Sequence, residues 1–230
     1  AGGTWTDVTA GQFAKEVAAV AKGFIASGVE VGDRVAILSS TRYEWVVLDY
    51  AIWTAGGCTV AIYETSAADQ AQWILENSAT TLLVVETAKH AETHKEVTDG
   101  AEALREVLII ESGAIDELSS RGSAITDEEL HTRRHQVTAA SPATLIYTSG
   151  TTGHPKGVVL SHKNMLVQTA AGIPLLRKGW EPAEMKTLCF LPWAHIFGQV
   201  AEVHGLIQEG GSAALVEDVN TLVDELALVQ

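Results

Sequence analysis

The amino-acid sequence predicts an α/β fold, with a predominantly parallel sheet layered between helices. Three observations lead there. Short apolar runs recur along the first half of the chain at Arg34–Ser39, Thr59–Tyr63, Thr81–Val85 and 107–110. Segments with helical spacing separate them, and that alternation is the signature of parallel strands buried on both faces. The composition, 47% hydrophobic and 19% charged over 230 residues, is that of a folded globular chain with enough length for a sizeable core.

Each element has a local cause. Thr9 and Gln12 make a capping box ahead of a helix in which Phe13, Val17, Val20 and Phe24 share a face, and Gly28 stops it. Strand 34–39 follows, then a helix over Tyr43–Thr54 that ends at Gly56-Gly57, then strand 59–63. A helix after Ser66 carries Trp73, Ile74 and Asn77, and strand 81–85 comes next; a helix over 89–98 and strand 107–110 add a further unit. Tyr43, Trp45, Trp53 and Trp73 are assigned to helix–sheet packing. Residues 111–141 read as a polar, exposed connection with one short helix near 126–131, and His90, His94, His131 and His135 as surface residues without the convergence a metal site needs. Beyond it, Ser161 caps a helix that Gly172 and Pro174 interrupt after about Ala171. A strand over 187–192, a helix over 199–208, a strand over 213–216 and a helix opening at Asn220 complete the chain. The expected division is a first α/β subdomain over 1–140 and the start of a second over 141–230. The last helix stops at Gln230 with its apolar face intact, so the chain reads as the front part of a larger unit.

Charge and cysteine content narrow the function classes. Fifteen Lys and Arg against 29 Asp and Glu give a net charge of −14, which argues against nucleic acid, whose binding rests on cations neutralising phosphates. Cys58 and Cys189 lie in apolar settings and read as buried free thiols. No run reaches the ~18 apolar residues of a membrane span, and no basic start or apolar leader is present; the expected location is cytoplasmic.

The chemistry concentrates in Tyr147-Thr-Ser-Gly-Thr-Thr-Gly-His-Pro-Lys-Gly157, held between the apolar runs 143–147 and 158–160. Glycines let successive backbone N–H groups point at an anion, the hydroxyls add donors, and Lys156 adds a positive charge suited to phosphate. A plain hairpin turn would use the same residue types. The spacing is not that of a Walker A loop, because Pro155 stands where its second glycine belongs and Gly157 follows the lysine. A second segment, Leu191-Pro-Trp-Ala-His-Ile-Phe-Gly198, follows an apolar strand. Ligands in open α/β sheets gather beyond strand carboxyl ends, but a capped aromatic corner fits this pattern as well as a binding site does.

These two segments resemble the adenylate-forming enzymes, which include acyl-CoA synthetases, peptide-synthetase adenylation domains and luciferases. The loop matches their phosphate signature at its fixed places, with His154 at the variable one, and Leu191-Pro192, His195 and Gly198 match a second family element. The stretches Gly32–Val35, Arg42–Trp45, Ile62–Ser66 and Ala71–Ser78 are most similar to long-chain fatty acyl-CoA synthetases. The resemblance implies a long-chain fatty acid–CoA ligase: a fatty carboxylate attacks the α-phosphorus of ATP, pyrophosphate leaves, and the thiolate of CoA displaces AMP from the acyl-adenylate. It implies that Thr148, Ser149, Gly150, Thr151, Thr152, Gly153 and Lys156 hold ATP, with Lys156, Thr152 and His195 catalytic and Thr148 assisting Mg2+. Trp193, His195, Phe197 and Gly198 would border the acyl and adenylate pocket, although Trp193 and Phe197 read equally well as core. The family's adenine, ribose and C-terminal lysine elements are not found before Gln230, so the piece is expected to be inactive alone. Two other readings stay open: a fatty acyl-AMP ligase that loads a carrier protein, and a non-catalytic nucleotide-binding or association module. Peripheral membrane contact and a dimer are compatible with the sequence.

Overall fold

A computed structural model describes residues 5–148, 153–176, 186–216, 220 and 222–223, with side chains omitted for 173–176. Its first half alternates as the apolar runs require: α1 (Ala10–Ala26), β1 (Arg34–Leu38), α2 (Tyr43–Thr54), β2 (Cys58–Ile62), α3 (Ala68–Ser78), β3 (Thr80–Val85), α4 (Ala88–Thr93), α5 (Lys95–Gly100) and β4 (Glu106–Ile109). Thr9 and Gln12 do form the capping box of α1. The single helix expected over 89–98 is two short ones, because the backbone leaves helical geometry at His94.

The strands form one sheet in the order β4-β3-β1-β2-β5-β6, where β5 is Pro142–Thr148 and β6 is Lys156–Ser161. Every neighbouring pair is parallel except the β5–β6 hairpin. The expected boundary at residue 141 therefore falls inside a continuous sheet. Successive side chains of a strand point to opposite faces, and the sequence uses both. Val35 and Ile37 of β1 join Val84, Leu108 and Ile146 under α1 and α2, whereas Ala36 and Leu38 join Val60, Leu83 and Val85 under α3. The two faces explain why β2 is buried at every position. Cys58 and Cys189 are free and buried, and burial pushes both thiols up to about 12.

Residues 111–141 contain the short helix expected near 126–131 but otherwise differ from the polar, exposed connection expected. They hold a 3-10 turn (Ile110–Ser112), α6 (Ala114–Gly122) and α7 (Asp127–Gln136), and both helices belong to the core layer. Ala114, Leu118 and Gly122 recur every four residues on the face of α6 that meets α1, and Leu130 of α7 is buried as well. The polar residues that suggested a loop cover the outer faces: Arg121 pairs with Glu106 at 2.6 Å and with Glu117, and Thr126 caps α7 through Glu129. His94 is also not a surface residue. It is 2% exposed, with Nδ1 2.9 Å from the carbonyl of His90 and Nε2 3.2 Å from that of Ser66.

The remaining chain runs through α8 (His162–Leu176), β7 (Lys186–Cys189), a helical stretch over 196–209 and β8 (Ser212–Leu215), with β7 and β8 paired in parallel as a second, two-stranded sheet. Ser161 caps α8 as expected, its hydroxyl accepting from Asn164 N–H at 3.2 Å. The helix continues through Gly172 and Pro174 as far as Leu176, since proline removes a single intrahelical bond there. β7 is shorter than the run 187–192, because the N–H groups of Phe190 and Leu191 are taken by a side chain, Glu202, rather than by a strand. The helix expected from Asn220 falls mostly outside the described residues.

Candidate active site

The β5–β6 hairpin presents the glycine-rich segment at the carboxyl end of β5. Thr148 and Lys156 are its last and first paired residues, directly opposite each other in the antiparallel register, and both are exposed. Ser149, Gly150, Thr151 and Thr152 lie outside the described residues. On the returning side Gly153 has φ +125°, a conformation that strains any residue with a Cβ. Lys156 makes no ion pair among the described residues, so its ammonium is not spent on a structural partner.

α3 braces the foot of this hairpin. The Trp73 indole N–H donates to the Pro155 carbonyl at 2.8 Å, and its ring stacks on His154 with centroids 4.3 Å apart and planes 19° from parallel. One strand position inward, the Tyr147 hydroxyl donates to Asn77 Oδ1 at 2.8 Å, and burial raises that phenol. Sequence reasoning assigned Trp73 to helix–sheet packing and only placed Asn77 on the same helix. Helical spacing does put both on its sheet-facing side, but nothing in the spacing tells that this side also meets residues eighty positions later.

The second candidate segment reaches the same end of the sheet by another route. β1, β2 and β5 are parallel neighbours, so their carboxyl ends share one edge. Thr41, just beyond β1, holds the segment there: its hydroxyl donates to the Leu191 carbonyl at 2.8 Å and accepts from Trp193 N–H at 3.2 Å. With about 4.8 Å between neighbouring strands, the loops after β1 and β5 stand roughly 10 Å apart along the edge where open α/β sheets bind ligands.

Within this segment the candidate residues separate. Trp193 is 2% exposed and packs edge-to-face on Trp45 at 5.8 Å, so it belongs to the core. His195 is exposed and Phe197 is 62% exposed, which leaves both free to face a ligand. Gly198 is buried against the preceding turn; a Cβ there would lie 2.7 Å from the Pro192 carbonyl oxygen. His195 begins a short helical turn, Ile196–Gly198, and its Nδ1 accepts from Phe197 N–H at 3.1 Å.

Two groups of residues escaped the sequence reading. One is Glu202, buried among the N–H groups of Phe190, Leu191 and the Trp193 indole at 3.1–3.2 Å. The other is a polar cluster between α2 and the helical stretch over 196–209. Asp49 Oδ1 accepts from the Thr59 hydroxyl at 2.6 Å, His204 Nδ1 is 3.1 Å from the Tyr50 hydroxyl, and His204 Nε2 is 3.8 Å from Asp49 Oδ2. Burial pushes Asp49 up to about 7 and His204 down to about 3. Both shifts disfavour charge, so from about pH 3 up to about 7 the contact joins two neutral groups rather than an ion pair. A cleft of about 360 Å³, bordered by Tyr50, Trp53, Arg134 and His162, lies beside this cluster. His162 starts α8 just after the end of β6, opposite the glycine-rich loop, so the cleft is not part of the site built here.

Magnesium takes about six oxygens, commonly from carboxylates, phosphates and water. At the mouth of the hairpin the exposed Thr148 offers a hydroxyl oxygen rather than one of those ligands, and among the described residues no group of three or more His, Cys, Asp or Glu is placed to hold a metal. Such an ion fits here only as a companion of a bound polyphosphate.

Comparison with known proteins agrees with this geometry. Long-chain-fatty-acid–CoA ligase FadD15 from Mycobacterium bovis and its counterpart from Mycobacterium tuberculosis are each 42% identical over 236 residues, covering 98% of this chain and 38% of theirs. The chain thus spans about two-fifths of the length of these relatives. Solved structures share the fold: a long-chain-fatty-acid-CoA ligase, FadD1, from Archaeoglobus fulgidus has a TM-score of 0.78 at 20% identity, covering 98% of this chain and 45% of that one. Apo MatB from Rhodopseudomonas palustris has a TM-score of 0.76 at 21% identity, covering 96% and 43%. The profile described as AMP-binding enzyme matches residues 2–230, and the chain belongs to that family.

Proposed function

We propose that the protein to which these residues belong is an ATP-dependent long-chain-fatty-acid–CoA ligase. The observation that carries this reading is the 42% identity to FadD15 across nearly the whole chain, glycine-rich hairpin included. ATP, a fatty acid and CoA are then the substrates. Lys156, with the loop residues Ser149, Gly150, Thr151, Thr152 and Gly153, holds the β- and γ-phosphates. Their positive charge and N–H donors stabilise the pyrophosphate that leaves when the fatty carboxylate attacks the α-phosphorus. Thr148 would give one oxygen to a magnesium ion accompanying ATP, and that ion would supply charge neutralisation. His195 and Phe197, exposed at the same sheet edge, border the acyl-adenylate, and Gly198 keeps their turn close to Pro192. CoA thiolate then attacks the acyl carbon and AMP leaves. Long-chain substrates partition into bilayers, which makes peripheral membrane contact part of the proposal; among the described residues no helix is long and apolar enough to cross a membrane.

The test is exchange of labelled pyrophosphate into ATP by a protein containing this chain at the length of its relatives. Exchange that depends on a fatty acid, and rises with acyl length, is expected. Absence of exchange with every acid from two to eighteen carbons would overturn the proposal.

A further inference from the structure

The segment that bears His195 has almost no regular structure of its own, yet the N–H groups of Phe190, Leu191 and Trp193 and the carbonyls of Leu191 and Trp193 are all held by side chains. Glu202 supplies most of that hold. Its Oε1 accepts from Phe190 N–H and Leu191 N–H at 3.2 Å, and its Oε2 accepts from the Trp193 indole at 3.1 Å and from Leu191 N–H at 3.2 Å. Gln199 Nε2 donates to the Trp193 carbonyl at 2.7 Å, and Thr41 bridges Leu191 and Trp193 from the other side. Both Gln199 and Glu202 lie on a π-helical turn, Gln199–His204. One extra residue per turn rotates the later part of the helix by roughly 100° relative to regular α-helical winding. Regular winding would swing Glu202 away from the backbone of 190 and 191. The π turn is therefore tied to a specific contact, which is a reason for keeping an otherwise unfavourable winding.

This scaffold has a chemical consequence at His195. The ring is the side-chain cap of Ile196–Gly198, with Nδ1 accepting from Phe197 N–H at 3.1 Å. An imidazole nitrogen that accepts a hydrogen bond carries no proton, so the neutral ring must hold its proton on Nε2. The exposed nitrogen is then a donor. A donor suits an anionic oxygen, such as that of a carboxylate or a phosphoryl group; it does not suit proton abstraction by the neutral ring.

We propose that Glu202 is a positioning residue that, through the Phe190–Ala194 segment, locks His195 as an Nε2–H donor toward the anionic oxygens of the substrate. The substrate half of this statement rests on the proposed ligase function; the tautomer half does not. Burial raises the Glu202 carboxyl, but the three N–H groups converging on it work the other way and favour the ionised acid, and an amide in its place would set donor against donor. Glu202→Gln keeps the volume and introduces that conflict.

The experiment is a long-range proton–nitrogen correlation spectrum of the full chain labelled at histidine, with His195 assigned by the signals lost in His195→Gln. The wild-type chain is expected to show His195 as the Nε2–H tautomer, and Glu202→Gln to shift it to a mixture while the buried His94 signals stay in place. Should Glu202→Gln fail to fold, Trp193→Phe removes one of the three donors without emptying the core, and is expected to move the same His195 signals by a smaller amount. An Nδ1–H tautomer in the wild-type chain would overturn the proposal, as would His195 signals indifferent to the substitution that folds. In the relative-length protein, Glu202→Gln is expected to lower the fatty-acid-dependent exchange rate about tenfold or more, with KM for ATP little changed. Loss of exchange in the wild-type protein as well would count against the ligase reading alone, because the spectra decide the tautomer without it.

Discussion

Lys156 stands at the mouth of the hairpin, across from Thr148, with no carboxylate paired to it among the described residues. In a chain with nearly twice as many acidic as basic residues, an unpaired lysine beside a glycine-rich turn fits the phosphate role proposed for it. Lys156→Ala is expected to lower pyrophosphate exchange by about 10²-fold, the usual cost of removing one preorganised charge-stabilising donor; a rate within twofold of wild type would remove Lys156 from the chemistry. The bracing of the loop is a separate matter. Trp73→Phe keeps the ring that stacks on His154 but loses the N–H bond to Pro155, and is expected to raise KM for ATP by several-fold with little change in melting temperature. Asp49 makes a third residue-scale prediction, read from stability. Its ordinary value is 3.8 and its folded value about 7, so between those limits the unfolded chain loses its proton first and stability falls as pH rises. His204, held down to about 3 from 6.5, does the opposite: below pH 6.5 the unfolded chain gains a proton that the folded one refuses, and stability falls as pH falls. The two slopes oppose each other in the wild-type chain. Asp49→Asn removes one of them, so its urea midpoint is expected to climb from pH 4 to 6.5 and then level off. A profile parallel to the wild type would contradict the neutral Asp49–His204 contact.

At the scale of elements, the contact between α1 and α6 shows what was legible and what was not. Ala114, Leu118 and Gly122 are spaced every four residues, and Thr126 with Glu129 is a capping box in plain letters. The capping box does announce the short helix expected near 126–131, but α7 offers a single buried residue, Leu130, so its mostly charged sequence gives no sign that it runs on to Gln136 or joins the core layer. What no pattern announces is that Gly23 and Gly122 let the two helices touch backbone to backbone. A Cβ on Gly122 would lie 2.5 Å from the Ala19 carbonyl oxygen, and one on Gly23 would enter the Leu118 peptide. Neither obstacle is a flexible side-chain end, so relief requires a helix to move. Gly122→Ala is expected to destabilise by about 1–3 kcal/mol, the range for overpacking a filled core, despite alanine's better helix propensity. A stabilised variant in urea unfolding would show that α6 packs less closely on α1 than described. The strands were easier: a sheet buried on both faces gives continuous apolar runs, which is why the expected and observed strands β1 to β4 differ by about a residue at their ends. The end of β7 was not legible, since Glu202 ends it from thirteen residues further on.

For the whole molecule, the sheet order places the two candidate segments, about forty residues apart in sequence, along one edge. That edge follows from parallel strands, and parallel strands follow from the alternation of apolar runs and helices. The hairpin's residue types spoke for phosphate directly, because glycine, hydroxyl and lysine donors do so through local chemistry. Residues that act through distant partners stayed hidden: Glu202, Trp73 and Thr41 have ordinary sequence neighbours, and their roles exist only once the chain has closed. The proposed function ties this edge to adenylate formation, in which an oxygen of the acid becomes bonded to the α-phosphorus. That bond can be followed. With a long-chain fatty acid labelled with oxygen-18 in its carboxylate, ATP and CoA, the relative-length protein is predicted to release AMP carrying one labelled oxygen, pyrophosphate carrying none and an acyl-CoA that keeps one. Label in inorganic phosphate, or unlabelled AMP alongside acyl-CoA formation, would contradict attack of the carboxylate at the α-phosphorus.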